Sequence, residues 1–499
     1  LLGHDPVRLP RDAIAVRKGI LDRHPGLSRL LAEDTRLRTA LSAVLAGAVG
    51  QDQPRGGPPG DAKDWDEFAV HSARRAAAID LLAAGREAIA VDFPPRLAPA
   101  DVRARLAPGE ALLSFRWTAA GLRGVLETRE RVATWQVRAT AELARELSHL
   151  ARALCLFDPH APVPTDRLAA SEWRARAAAV ERLLFENSKV TLGEGIEELA
   201  IVPDGALWYL PFELLPAGSA RDPEPEDDAQ EAPPMLRDVC RVRYAPTRSL
   251  AVAGAPQAPA DAPAAAAPVG IHAGHAPRGE KPESVVEAAR RLAASLERTL
   301  PLAVAPTPGH GGTRPALEAA LCDGVVVLDE VELAGEAPVG ARGLFGRHDR
   351  AGRGGGTFAD WLASPHKRPA RVALPGMQTP MAAGLVKPVA RPGEELFVAA
   401  TDLLAAGART ALLSRWRVGG KSSTDLVAEL FRDLDAPAAV PAASWARAVD
   451  LVTAEEPDPA LEGRIRVVGH SLPADLRHPF FWAGYLLVDG GTAPPSTRR

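Results

Sequence analysis

Three carboxylates, Asp329, Glu330 and Glu332, close the apolar run GVVVLDEVE. Acids at such spacing are what acid–base hydrolysis uses, with two carboxyl groups held roughly 5 to 10 Å apart. Successive side chains of a strand point to opposite faces, so Glu330 and Glu332 share a face only if the strand continues that far. The same acids suit two other roles: a recess that receives a basic segment of a partner, or a rim neutralised by the chain's own arginines.

Other chemistry-bearing residues are poorer candidates. Cys322 precedes GVVVLDEV and so belongs at the amino end of that strand, whereas sites in open parallel sheets gather at carboxyl ends. His310 and His348 flank the same strand on glycine-rich stretches and read as surface histidines, because a general base without a nucleophile achieves little. Ser414 in LLSRW and Thr379 offer hydroxyls near strand ends, without an identifiable base. His272 and His275 in HAGH have a spacing found at metal sites but lack a third ligand. The segment ALLSRWRVGGKSSTDLVAEL sets Gly-Gly-Lys-Ser between a strand and a helix, as a phosphate-binding loop would. Arg415 stands where that motif needs its first glycine, which leaves Ser422 or Ser423 to cap the helix. No cofactor and no metal is expected.

The elements that must position these residues follow from periodicity. From Pro25 to Gly50, Leu27, Leu30, Leu31, Leu37, Leu41, Val44 and Leu45 fall at helical spacing along one face. WDEFAVHSARRAAAIDLLAAGREAI predicts a second long helix with Phe68, Ser72, Ala76, Ile79 and Leu82 on its buried side. EALLSFRW, GLRGVLET and RVATWQV alternate and are separated by turn residues, which predicts an antiparallel meander. Helices are expected near Arg138–Leu156 and Ser171–Glu186, followed by a strand in ELAIVPDG. AVAG, GVVVLDEV, RVALPG and RTALLSRW are then strand candidates separated by helical stretches, the pattern of βαβ units in a parallel sheet.

Composition narrows the function classes. The chain has 499 residues, a formal net charge of -4, 46% hydrophobic and 24% charged residues, which excludes a wholly disordered or fibrous protein. Its basic residues are 7 Lys and 52 Arg spread without a block, so nothing in the composition supports nucleic-acid binding. Its longest apolar stretches reach nine residues, where a membrane span needs about twenty, so no membrane partner is expected. Cys155, Cys240 and Cys322 form neither a metal knuckle nor a disulfide framework; a reducing, cytoplasmic setting is the expectation. The chain opens on Leu1, so it is read as processed or as part of something longer.

The segment IVPDGALWYLPFELLP, with Pro203, Asp204, Gly205, Leu207, Pro211, Phe212 and Leu215, resembles the entry motif of the CHAT domain, a caspase-like peptidase domain often attached to tetratricopeptide repeats. APTRSL, LFVAATDLLAAGARTALLSRWRVGGKSS and HPFFWAGYLLVDG resemble further blocks of that family, in the same order. The resemblance implies a caspase-like α/β sheet with flanking helices, preceded by an α-helical N-terminal segment. It also implies that a nucleophilic Cys follows one strand and a general-base His follows its neighbour.

Both catalytic positions depart from the family pattern. RVALPGMQT puts Met377 in the Cys slot, and a thioether has no proton to lose and forms no thiolate. GVVVLDEVELAG contains no His, and within a residue of register the base slot falls on Glu330, Val331 or Glu332. The expected organisation is an α-helical segment over 1–98, a CHAT-like domain over 99–490 (meander and helices to 200, then the caspase-like part with mobile loops near 219–234 and 254–282) and a tail over 491–499. The expected function is a catalytically degenerate pseudopeptidase that binds a protein or peptide with a basic segment, using Asp329, Glu330, Glu332 and Gln378. The alternative is a hydrolase with residues relocated near Glu330 and Met377. The sequence assigns no oligomeric state.

Overall fold

A computed structural model describes residues 11–48, 62–84, 97–156, 161–218, 233–253, 268–273, 282–304, 319, 321–334, 337–342, 369–386, 391–405, 407–436, 439–467 and 475–491. His275, His310, His348, the acidic stretch through 219–232 and the residues after 491 lie outside them, as does most of the loop expected over 254–282.

Helices Arg11–Arg23, Pro25–Ala48 and Ala62–Ala84 form the N-terminal part. Proline at the start of the second is tolerated because the first helical N–H has no intrahelical partner to lose. The apolar stripe anticipated from sequence packs inward, with Leu37, Leu41 and Phe68 buried. A buried carboxylate joins the two long helices: Asp34 accepts from Ser72 at 3.1 Å, from Arg75 at 2.7 Å and from Arg38 at 2.8 Å.

The remaining chain builds one large sheet. Strands β1 (Glu110–Thr118), β2 (Gly121–Glu127) and β3 (Val132–Val137) are the anticipated antiparallel meander. Alternation turns Ala111, Leu113 and Phe115 of β1 into the main core, where Phe115 meets the edge of Trp135. There follow β4 (Val163–Pro164), β5 (Glu198–Val202), β6 (Arg241–Tyr244), β7 (Val269–Ala273), β8 (Thr299–Val304), β9 (Gly324–Val327), β10 (Val331–Ala334) and β11 (Ala337–Arg342). The last are β12 (Arg371–Ala373), β13 (Met377–Gln378), β14 (Thr410–Ser414), β15 (Ile465–Arg466) and β16 (Tyr485–Asp489). Across the large sheet the order is β3-β2-β1-β5-β6-β16-β14-β12-β9-β7-β8. A smaller sheet runs β11-β10-β13, and β4 pairs with β15.

From β14 to β8 every neighbouring pair is parallel, while β16 runs antiparallel to β14. The carboxyl ends of β14, β12, β9 and β7 therefore share one edge. Within this half the order is β8-β7-β9-β12-β14, so chain direction reverses between β7 and β9, the switch point at which open α/β sheets bind ligands. Helices Pro282–Ser295 and Gly420–Leu434 are among those that flank the sheet. The expected α/β sheet with flanking helices and a helical N-terminal segment is the observed fold.

Two strand expectations need correction. AVAG is no strand: Ala251 ends a helical turn, Arg248–Ala251, capped by the Thr247 hydroxyl on the Leu250 N–H. Residues 269–273, inside the stretch expected as a mobile loop, are β7, which lies between β9 and β8 and is buried along its whole length. Five residues of VGIHA were too short a run to stand out beside a Pro/Ala-rich segment.

Candidate functional site

The two slots that the resemblance implies lie side by side. β9 leads to Leu328, Asp329 and Glu330, and β12 leads through a turn at Leu374–Gly376 to Met377; β9 and β12 are parallel neighbours. The resemblance implies this adjacency for a nucleophile and its base. Beyond their ends the two chains converge, and β10 pairs with β13 in the register Val331↔Met377 and Glu332↔Gln378. The Val331 N–H donates to the Gly376 carbonyl at 3.2 Å, and the Met377 N–H turns back to Leu374 O at 3.1 Å. Glycine is required at 376: a Cβ there would stand 2.2 Å from the Asp329 carbonyl oxygen.

Among the described residues this junction holds no Cys. Met377 is fully buried at 0% exposure, an apolar filler beneath the pairing of β10 and β13. Glu330, half-buried, accepts from Gln378 Nε2 at 3.0 Å. Asp329 departs from the expected arrangement, because it is buried and does not sit on a rim facing a partner. Its Oδ2 lies 3.2 Å from Nε2 of His272, which β7 delivers from across the switch point. Asp329 and Glu330 lie in the bend between β9 and β10, where Asp329 is buried and Glu330 half-buried. The Glu332 side chain lies outside the described residues, although its backbone places it opposite Gln378 and Arg342.

His272 is the site residue whose setting sequence reading missed. HAGH suggested a metal spacing, whereas the imidazole belongs to a buried pair with Asp329. The missed signal was a polar residue in an otherwise apolar β-branched run, which marks a buried polar contact.

The remaining candidates are absorbed by the fold. Cys322 is buried at the amino end of β9, as expected. The Thr379 hydroxyl donates to Arg415 O at 2.7 Å, and the buried Ser414 hydroxyl donates to Trp416 O. The Gly-Gly-Lys-Ser turn starts helix Gly420–Leu434, but the chain's own Glu462 carboxyl fills the place a bound anion would take: it accepts from the Ser422 N–H at 2.8 Å and from its hydroxyl at 2.9 Å. Lys421 is held by Asp425 at 2.6 Å and Glu455 at 2.8 Å. On the N-terminal helices Glu33, Glu67 and His71 bring one ligand atom each within 4.8 Å, but Glu33 is already forked onto Arg36.

Residues 380–490 match the family model of the CHAT domain. No curated protein matches the chain. Among solved structures it is similar to the Saccharomyces cerevisiae separase–securin complex at 3.0 angstrom resolution, with TM-score 0.39, 10% identity, and coverage of 87% of this chain and 32% of that one. It is also similar to that complex at 2.6 angstrom resolution, with TM-score 0.39, 8% identity and coverage of 86% and 32%. The chain thus spans about a third of the length of the chains it matches. The CHAT match covers residues 380–490, whose strands β14 and β16 lie inside the large sheet of a mixed α/β fold. Among the described residues no helix is long and apolar enough to cross a membrane.

Proposed function

We propose that this protein is a catalytically degenerate member of the caspase-like class, a pseudopeptidase that binds a protein segment at the strand ends near Glu330 and Met377. The observation that carries the reading is Met377: the nucleophile position holds a buried thioether whose own N–H is spent on Leu374 O. A thioether cannot attack a carbonyl, and a committed N–H cannot stabilise an oxyanion. What supports a binding role is the position of these strand ends beside the switch point between β7 and β9, where open α/β sheets take ligands. Glu330, with Glu332 two residues on, would favour Arg or Lys, modestly and in a salt-sensitive way, since exposed pairs contribute about 0 to 1 kcal/mol each.

The test is to incubate the protein with a denatured proteome and search for new termini. None is expected, and a reproducible set of new termini would overturn the pseudopeptidase reading. Replacing Glu330 and Glu332 by Gln and comparing captured partners at low and moderate salt tests the binding half. Loss of basic-segment partners is expected, and an unchanged set at both salt levels would leave these acids structural.

A further inference from the structure

We infer that the outer edge of β3 is a docking site for an extended acidic segment of a partner protein, added to the large sheet as a further strand. The site is separate from the strand ends described above. β3 is the terminal strand of the eleven-stranded sheet, and among the described residues nothing pairs with its outer side. The Thr128 N–H donates to Arg131 O, which fixes that pair as hydrogen-bonded across the hairpin. Counting in steps of two along the ladder, the backbone groups of Val132, Thr134 and Gln136 face outward. Trp135 points the other way, into the core, where its indole N–H donates to Leu184 O at 2.7 Å, so the register of the edge is locked.

Natural sheets blunt such edges with proline or charge. The opposite terminal strand, β8, carries Pro301, while β3 reads VATWQV, with neither device and with Val132 at 44% exposure. An edge left open on one side only is available for strand addition.

Charge identifies the occupant. Arg116, Arg123, Arg129, Arg131 and Arg138 are all exposed around this edge and make no ion pair or hydrogen bond through their side chains among the described residues, although the chain as a whole carries a net charge of -4. The one exposed acid in the β2–β3 turn is Glu130. Arg116 stands directly opposite Arg123 in the ladder, a like-charge pair that disfavours the bare sheet. Arg123 in turn stands opposite Gln136 on β3, whose amide is tied to Ala120 O, so the guanidinium can lean across toward an incoming strand. Arg131 and Arg138 bracket β3 at its two ends. Acidic side chains on alternate positions of an added strand would meet this row while its backbone meets the outward groups of β3.

The probe is a labelled short peptide alternating Glu and Thr, titrated into the full chain and followed by fluorescence anisotropy. Saturable binding that weakens with salt is expected, with no binding of the Lys/Thr counterpart. A peptide N-methylated at alternate amides keeps its charge but loses one set of donors, and should bind far more weakly. Arg116→Gln with Arg123→Gln, both exposed, should not lower the melting temperature and should weaken binding about tenfold, within the range for two exposed charge contacts. The inference is overturned if the Glu/Thr peptide does not bind, or if the N-methylated peptide and a single-stranded oligonucleotide bind as well as it does. The last result would make the patch a general polyanion surface.

Discussion

Met377 is fully buried, and its replacement separates packing from chemistry. Met377→Ala removes buried atoms and leaves a cavity, for which a loss of about 2 to 4 kcal/mol is expected in urea unfolding. An unchanged midpoint would mean that Met377 is not the buried end of its strand. Met377→Cys is expected to restore neither proteome cleavage nor reaction with iodoacetamide in the native state. Burial disfavours a thiolate, as at Cys240, where desolvation pushes the thiol up to about 12. Glu462 sets a pH dependence of a different kind. Burial pushes its carboxyl up to about 7, against 4.5 ordinarily, although Ser422 donates to it twice. Between those values the unfolded chain has released this proton and the folded chain retains it, so this group makes stability fall as pH rises through the window. Outside the window it contributes no slope. The full change is about 3 kcal/mol, and Glu462→Gln, which cannot ionise, should abolish it. Equal slopes for the two proteins between about pH 5 and 7 would refute the assignment.

At the level of elements, the short pairing of β10 with β13 is what closes the strand ends. It depends on the approach of Gly376 to the Asp329 carbonyl, which leaves no room for a side chain. Gly376→Ala is expected to destabilise the protein by about 1 to 3 kcal/mol through overpacking. It should also release the Val331 amide, bonded to Gly376 O, to faster hydrogen exchange. Slow exchange at Val331 in the variant would show that the two chains tolerate separation. The segment Asp458–Arg466 is attached in a comparable way. Glu462 caps helix Gly420–Leu434, Arg464 donates to Arg417 O at 2.7 Å, and β15 pairs with β4.

Across the whole molecule, long-range contacts tie the CHAT-matched region to chain that lies outside it. β14 and β16, both within 380–490, sit between β6 and β12, which do not. The buried Arg415 guanidinium donates to Trp208 O at 3.0 Å, to Ala483 O at 3.2 Å and to Tyr485 O at 2.9 Å, and lies over the Tyr244 ring. Arg243, equally buried, joins Glu198, Glu110 and the Asp489 carbonyl. An isolated fragment of residues 380–490 would expose both flanks of its strand pair and leave Arg415 without Trp208. It should show no cooperative thermal transition by circular dichroism, whereas the full chain should. A sharp transition in the fragment would mean that the region folds on its own.

The sequence by itself determined most of the elements and the absence of a thiol at position 377. Alternation in EALLSFRW, GLRGVLET and RVATWQV specifies a meander because a period of two has only one way to bury its apolar face. A thioether forms no thiolate whatever surrounds it. Tertiary structure alone decided that Asp329 is withdrawn into a pair with His272, since β7 and β9 are distant in the chain and meet only through the order of strands in the sheet. It also decided that Arg415 and Arg243 are buried. A charged residue in a short apolar strand context reads as exposed until backbone carbonyls and carboxylates from remote segments converge on it, and that convergence belongs to the fold, not to local propensity.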